Sequence, residues 1–169
     1  MSPSDPPADP GAIENGFRAA TAEDVSLLRG LVLDGVRHWG HDVNFPAAFA
    51  GLEAEGLPTA EFIGEHVVEV LVDRGEPTGF YSLVDRGEGI VELEHMFVLV
   101  DRIGSGVGRR LWQRAVGRAR ESGRRLLIMS DPEAVGFYAS MGAVLECRVE
   151  PSPGFELGKM WFDLPADRT

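Results

Sequence analysis

Apolar residues in two parts of the chain recur at the spacing of a helix. One pattern predicts a helix from about Ala22 to Arg37, with Thr21 and Asp24 in a capping-box-like arrangement at its start. The other predicts a helix from Gly106 to about Ser122. The segment from His38 to His66 has no clear period, and we expect short helices there, one of them capped by Thr59, and a loop that faces the substrate.

Shorter segments between the helices have the apolar, β-branched content of strands. The pattern predicts an edge strand within 13–20, a hairpin from Val67 to Val84, strands over 90–100 and 124–130, and two closing strands within 143–164. A short helix capped by Asp131 and Gly142 precedes the closing strands. The order predicts an α/β fold, a mixed sheet with helices on its faces.

Length and composition indicate one folded domain. The chain has 169 residues, of which 44% are hydrophobic, enough for a single core. Residues 1–12 are rich in Pro, Asp and Ser, so we expect a disordered tail there and one domain over 13–165. The chain lacks the run of about 20 apolar residues that a membrane helix needs, and its start does not resemble a signal peptide. We therefore expect a cytoplasmic protein with no membrane partner, whose one cysteine, Cys147, lies in the core.

Positive charge is concentrated in one part of an acidic chain. The formal net charge is -11, yet residues 102–125 hold eight arginines and a single acid, Glu121. Overall acidity argues against a nucleic-acid partner, whereas the local concentration favours a site for a small anion. Within this segment, Arg114, Arg118 and Arg120 are interpreted as a solvent-exposed helix face.

The glycine-rich segment GSGVG lies where a strand gives way to the arginine-rich helix. Free amides and the helix dipole suit a phosphate at such a helix start. A Walker loop is disfavoured because Arg109, not Lys, follows Gly108. A dinucleotide-binding fingerprint is disfavoured because Gly104, Gly106 and Gly108 have the wrong spacing and occur late in the chain.

Taken together, these motifs resemble the GNAT (GCN5-related N-acetyltransferase) superfamily over about Ile13 to Asp163. The residues that carry the resemblance are a strand ending in MFV, GSGVG opening a helix, a buried strand, and DPEAVGFYASMGA. Two positions depart from the family pattern: Ile103 stands where Gln or Arg is usual, and Asp131 where many members have Asn. The resemblance implies the acyl-CoA N-acyltransferase fold, with a mixed, mostly antiparallel sheet flanked by helices.

The resemblance also implies acetyl-CoA as cofactor. The backbone of the MFV strand would pair with the pantetheine arm, and the glycine loop would hold the pyrophosphate, with Arg109 and Arg110 adding charge-assisted contacts. The cofactor-binding residues implied are Met96, Phe97, Val98, Ile103, Gly104, Ser105, Gly106, Val107, Gly108, Arg109, Arg110, Asp131 and Tyr138.

N-acetyltransfer to a primary amine of a small molecule or peptide is the implied reaction. The amine must lose a proton before it attacks the thioester, and a carboxylate is a suitable base. Glu92 is the favoured base and Glu94 the alternate or substrate contact; strand alternation predicts that both share one face. Tyr138 is assigned to protonate the leaving thiolate, while Phe137 packs the helix on the sheet.

The remaining assignments are broader. Trp39, Phe45 and Tyr81 are candidates for lining the amine site. The four histidines form no metal-ligand pattern, and alternation predicts that His95 points away from the glutamates, so no metal is expected. The resemblance leaves open a homodimer through the strands from Val144 to Phe162. The alternative function is a regulatory module of the same fold that binds acyl-CoA without catalysis.

Overall fold

The computed structural model describes residues 13–166, and the predicted tail over 1–12 lies outside them. Within these residues, seven strands form one sheet in the order β1-β2-β3-β4-β5-β7-β6. Only β4 and β5 pair in parallel. The strands are β1 (Gly16–Ala19), β2 (Val67–Asp73), β3 (Glu76–Gly87), β4 (Ile90–Val98), β5 (Arg125–Ser130), β6 (Val144–Ser152) and β7 (Phe155–Asp163). The predicted mixed, mostly antiparallel sheet is confirmed.

Six α-helices accompany the sheet in the described part of the chain. They are α1 (Val25–His38), α2 (His41–Asn44), α3 (Pro46–Gly51), α4 (Ala60–Glu65), α5 (Val107–Ala119) and α6 (Val135–Ser140). The capping box predicted before α1 is present, and the Thr21 amide donates to the Asp24 carboxylate at 2.8 Å. The short helices predicted within 38–66 are present: α2, α3, a π-helical turn and α4 follow one another there, and the Thr59 side chain caps α4 as predicted.

The sheet separates two apolar layers. The face covered by α5 and α6, here the α5 face, buries Leu111 and Ala115 of α5 against Leu83, Leu93 and other strand residues. The opposite face, here the α1 face, buries Leu28 and Val32 of α1 against strand residues such as Val70 and Phe80. Burying both faces of the central strands fixes where each strand ends, and therefore where the loops between them open.

The far edge of the sheet is exposed. Strand β6 forms this edge, and its Val144 and Leu145 side chains are 68% and 40% exposed. Cys147 lies on the same strand and is also exposed, so its predicted core position is wrong. The apolar pattern of an edge strand resembles that of a core strand, and the sequence could not distinguish them.

Across residues 13–166, no helix combines the length and the apolar content needed to cross a membrane.

Candidate active site

The glycine loop sets the start of α5. Gly104 and Gly106 both adopt positive φ, at 83° and 93°, a conformation that side chains with a Cβ rarely take. Gly106 is the N-cap of α5, and no side chain caps the helix. The first helical hydrogen bond runs from the Arg110 amide to the Gly106 carbonyl at 3.2 Å. The amides before Arg110 are therefore left for another acceptor.

The amides of this loop divide into two groups. The amides of Ile103 and Ser105 donate to carbonyls of the preceding turn, at 3.3 Å and 3.1 Å. These two amides are therefore not free, although the resemblance includes both residues in the cofactor site. Within residues 13–166, five other amides have no hydrogen-bond acceptor: those of Gly104, Gly106, Val107, Gly108 and Arg109. They cluster where the dipole of α5 is positive, an arrangement that favours a phosphate or pyrophosphate group.

The arginines around the loop have different roles. Arg109 and Arg110 are exposed and form no ion pair within the described chain, so both guanidinium groups are available to an anion. Arg102, by contrast, contacts the carboxylates of Asp73 and Glu76, at 3.6 Å and 3.3 Å. The positive charge that can reach a ligand is therefore carried by the first turn of α5.

Arg114 does not belong to a simple solvent-exposed face. Its guanidinium donates two hydrogen bonds of 2.9 Å to the buried carboxylate of Glu69 on β2, and it lies over the ring of Phe17. Tyr81 donates its hydroxyl proton to the same carboxylate. This network joins α5 to the sheet and corrects the predicted role of Arg114.

Strands β4 and β5 separate beside the glycine loop. Their parallel pairing covers Ile90 to Leu93 of β4 and ends at the pair Leu93–Ile128. Beyond it, β4 continues through Met96 to Val98 and pairs only with β3, while β5 pairs only with β7. The β4 edge that faces β5 is therefore an unpaired strand edge, which an extended ligand with amide groups can complete.

A bulge interrupts β4 at the point where the two strands separate. Ser82 of β3 pairs with His95, whereas the next residue, Leu83, pairs with Leu93. Glu94 is the extra residue between these pairs. A bulge of this kind shifts the alternation of side chains by one position and turns the extra side chain toward a new direction.

Glu92 and Glu94 meet at one arginine of the neighbouring strand. Arg86 of β3 donates to the Glu92 carboxylate at 2.6 Å and to that of Glu94 at 3.1 Å. The Glu92 side chain is 13% exposed and that of Glu94 35%. Burial, and after it the charge of Glu92, raise the pKa of Glu94 above its usual range, while Arg86 opposes the change.

His95 lies on the α1 face, the same side as Glu92, and the predicted opposite orientation is wrong. No sequence pattern indicates the bulge that shifts the alternation. The Nδ1 atom of His95 is 2.7 Å from the Ser82 hydroxyl oxygen, and three rings surround the imidazole: Phe62, Phe80 and Phe97. Burial lowers the pKa of His95 to about 4, so the ring is neutral near pH 7.

Tyr138 lies on α6 in the α5-face layer. Its residue surface is 7% exposed, and its ring packs 5.7 Å from that of Trp112. Burial raises the pKa of the Tyr138 hydroxyl, so the group stays protonated through the ordinary pH range. Phe137 packs beside it, with ring atoms 3.6 Å from a Cβ built at Gly108, which places α6 against the start of α5.

A cleft of about 350 Å³ lies between α2, the 3₁₀ turn that begins at Pro132, and the turn joining β6 to β7. Trp39 and Phe45 line it, together with Asp131. Tyr81 does not: it is fully buried in the α5-face layer, so its predicted place in the amine site is wrong. The alternating pattern of β3 could not show which of its two buried faces met the cleft.

Two functional candidates were absent from the sequence prediction. Arg86 was missed, although a hairpin turn at Gly87–Gly89 puts it diagonally across from Glu92, within reach of a long side chain. His41 was also missed, and its Nε2 lies 2.7 Å from the Asp131 carboxylate. No signal in the sequence links His41 to Asp131, because the two residues are far apart along the chain.

The described residues include no group of three or more His, Cys, Asp and Glu side chains placed to hold a metal ion.

Fold and site define an α/β domain in which two parallel strands separate beside a helix start with free amides. A sequence model of the acetyltransferase (GNAT) domain matches residues 54–146, more than half of the chain, and the protein belongs to this family. No protein in the curated collection matches the sequence.

Solved structures share this fold over nearly the whole chain. A GCN5-related N-acetyltransferase from Rhodopseudomonas palustris covers 90% of this chain and 98% of its own, at 18% identity and a TM-score of 0.70. YncA from Salmonella typhimurium with its cofactor acetyl-CoA covers 92% of this chain and 96% of its own, at 20% identity and a TM-score of 0.64. The PaiA N-acetyltransferase from Thermoplasma acidophilum in complex with coenzyme A covers 89% of this chain and 99% of its own, at 13% identity and a TM-score of 0.71. At these identities the likeness shows the fold alone.

Proposed function

We propose that this protein is an acetyl-CoA-dependent N-acetyltransferase that acetylates a primary amine. The observation that carries the proposal is the continuity of three features. Five free amides at the start of α5 lead to the unpaired edge of β4, and that edge leads to the glutamate pair at the bulge. YncA and PaiA, which share the fold, are described with acetyl-CoA and coenzyme A.

The residues present fit the proposed cofactor. Acetyl-CoA supplies the acetyl group as a thioester. The amides of Gly104 and of Gly106 to Arg109 would hold its pyrophosphate, and the side chains of Arg109 and Arg110 would add charge-assisted hydrogen bonds. The unpaired backbone of Met96 to Val98 would bind the pantetheine amides in the manner of an added strand. Ile103, 44% exposed, adds no polar contact at this position.

The glutamate pair supplies the proposed base. An alkylammonium group has a pKa near 10 and must lose a proton before its nitrogen can attack the thioester carbon. Glu92 would accept this proton, directly or through water, and Glu94 would support it from the bulge. Because burial and the neighbouring charge raise the pKa of Glu94, Glu94 holds a proton more readily than an isolated surface glutamate does.

Tyr138 supplies the proposed acid. As the nitrogen–carbon bond forms and the carbon–sulfur bond breaks, the departing thiolate needs a proton. The buried hydroxyl of Tyr138 is protonated, and the described residues offer it no hydrogen-bond acceptor. It would donate to the sulfur and regain its proton from solvent.

Isothermal titration with acetyl-CoA tests the cofactor site. We expect micromolar binding by the wild-type protein and loss of binding in Gly106→Glu, because a carboxylate then occupies the amide cluster. Gly117→Glu is the matched control: it adds the same charge to α5 at an exposed position with open space around it. Arg109→Glu repeats the test without placing a side chain at a positive φ, and we expect it to weaken binding at least about tenfold. Unchanged affinity in both loop variants would remove the assignment.

A further inference from the structure

The cleft beside α2 has chemistry that the proposed reaction has not yet used. It is lined by residues from three parts of the chain that meet only in the folded protein: Trp39, His41, Asn44, Phe45, Asp131, Pro132, Glu133, Gly154, Phe155 and Glu156. At about 350 Å³, its size lies at the lower end of the range for sites that hold small molecules.

Three aromatic side chains form a fixed apolar wall in this cleft. The ring centroids of His41, Phe45 and Phe155 lie 5.2–5.6 Å from one another, each pair in an edge-to-face arrangement. The contact between His41 Nε2 and the Asp131 carboxylate holds the imidazole in place. Trp39, 37% exposed, lies at the rim. Edge-to-face packing leaves ring faces free for another flat group.

The same cleft has a negative electrostatic character. Three carboxylates line it, those of Asp131, Glu133 and Glu156, and its lining includes no lysine or arginine. Arg148 comes no closer to Glu156 than 3.9 Å. The segment from Trp39 to Phe45, which supplies one wall, contains one acid, Asp42, and no lysine or arginine. Carboxylates and aromatic faces together are the groups that bind an organic ammonium ion.

The cleft lies at the end of β5. Asp131, which lines it, directly follows Ser130, the last residue of β5. Strand β5 separates from β4 after the pair Leu93–Ile128, and the next residue of β4, Glu94, is the bulge residue. The cleft therefore adjoins the end of the strand that borders the gap.

Resting on the proposed function, we propose that the acceptor is a small cationic amine whose nitrogen is carried on a flat apolar group, an arylalkylamine. The aromatic wall would bind the flat group, and Glu133 and Glu156 would attract the ammonium ion. The same carboxylates disfavour an amine that also carries a carboxylate, such as an amino acid. An aliphatic amine of equal charge lacks the ring that the wall fits.

Steady-state thiol release from acetyl-CoA tests this substrate class with three probes: 2-phenylethylamine, L-phenylalanine and n-hexylamine. We expect kcat/KM for 2-phenylethylamine to exceed that of each other amine at least tenfold. Phe155→Leu and Glu133→Gln should each raise KM for 2-phenylethylamine five- to tenfold with little change in kcat. Glu65→Gln, an exposed carboxylate outside the cleft, is the matched control.

Saturation-transfer NMR with 2-phenylethylamine and coenzyme A gives a readout independent of turnover, and its signal should weaken in Phe155→Leu. Equal kcat/KM for the three amines, or wild-type KM and NMR signals in both cleft variants, would overturn the inference while leaving the proposed reaction intact. If none of the amines raised the rate of thiol release above that of the blank without amine, the proposed function itself would be removed.

Discussion

At the scale of single residues, the site depends on one extra residue in β4. Regular alternation would place Glu92, Glu94 and every second residue after them on one face. With the bulge, Glu94 still meets Glu92 at Arg86, and His95 lies on that side as well. Two carboxylates that share one guanidinium leave an excess negative charge in a half-buried place, which is consistent with the raised pKa of Glu94.

Replacing the glutamates tests the proposed base. We expect Glu92→Gln to lower kcat by about 10²- to 10⁴-fold, the usual contribution of general base catalysis, with little change in acetyl-CoA affinity. Glu94→Gln should have a smaller effect, because it removes only the supporting charge. Stopped-flow or steady-state thiol release measures kcat, and titration calorimetry measures affinity. Full activity in both variants, or equal losses in Glu65→Gln, would exclude this pair as the base.

His95 gives a prediction about stability and pH. Its pKa is about 4 in the folded protein, whereas an unfolded histidine has a pKa of about 6.5. Between these values the unfolded state binds more protons, so the free energy of unfolding falls as the pH falls. His95→Gln keeps a neutral hydrogen-bonding group and removes this dependence, which amounts to up to about 3 kcal/mol over the window.

Urea denaturation between pH 7 and pH 4 measures the effect. The exposed His38 provides the control, since His38→Gln should keep the wild-type dependence on pH. If the wild-type protein and His95→Gln lost stability equally on acidification, His95 would not be a buried neutral group.

At the scale of elements, α5 is tied to the sheet at its middle. The carboxylate of Glu69, 8% exposed, receives two hydrogen bonds from Arg114 and one from Tyr81. Burial alone would raise the pKa of Glu69, but these hydrogen bonds more than offset it, and the pKa lies below its usual value. The network fixes the position of the helix whose first turn presents the free amides.

Glu69→Gln tests this anchor. We expect it to lower the free energy of unfolding by about 2 kcal/mol near pH 7, because charged hydrogen bonds to Arg114 are lost. The folded pKa is depressed, so this contribution is present above the unfolded pKa of about 4.3 and is lost as the pH falls through the folded value. Chemical denaturation at pH 7 and pH 3 should show a difference between variant and wild type at pH 7 that shrinks at pH 3. A difference of equal size at both values would contradict the role of the charge.

The elements themselves were largely predictable from the sequence, for a physical reason. The change from helical to alternating spacing marks α1, α5 and the central strands, and the glycines with positive φ mark the start of α5. Contacts between distant segments were not predictable. The Glu69–Arg114 pair and the His41–Asp131 pair each depend on how the layers pack, and the bulge at Glu94 leaves no compositional trace.

At the scale of the whole molecule, the chain separates its charges. The basic first turn of α5 lies beside the proposed cofactor site, and the carboxylates of Asp131, Glu133 and Glu156 line the proposed acceptor site. An anionic cofactor and a cationic amine would thus each be attracted to opposite parts of a protein whose net charge is -11. The gap between β4 and β5 is the place where the two sides meet.

One measurement tests the central claim most directly: simultaneous assay of free thiol and of acetylated amine, by mass spectrometry, in a mixture of the protein, acetyl-CoA and primary amines. The account predicts one thiol released for each amine acetylated, at a rate that depends on the amine and falls at least about 10²-fold in Glu92→Gln. Tight binding of acetyl-CoA without amine-dependent thiol release would contradict it and would favour a regulatory module that binds acyl-CoA without transferring the acyl group.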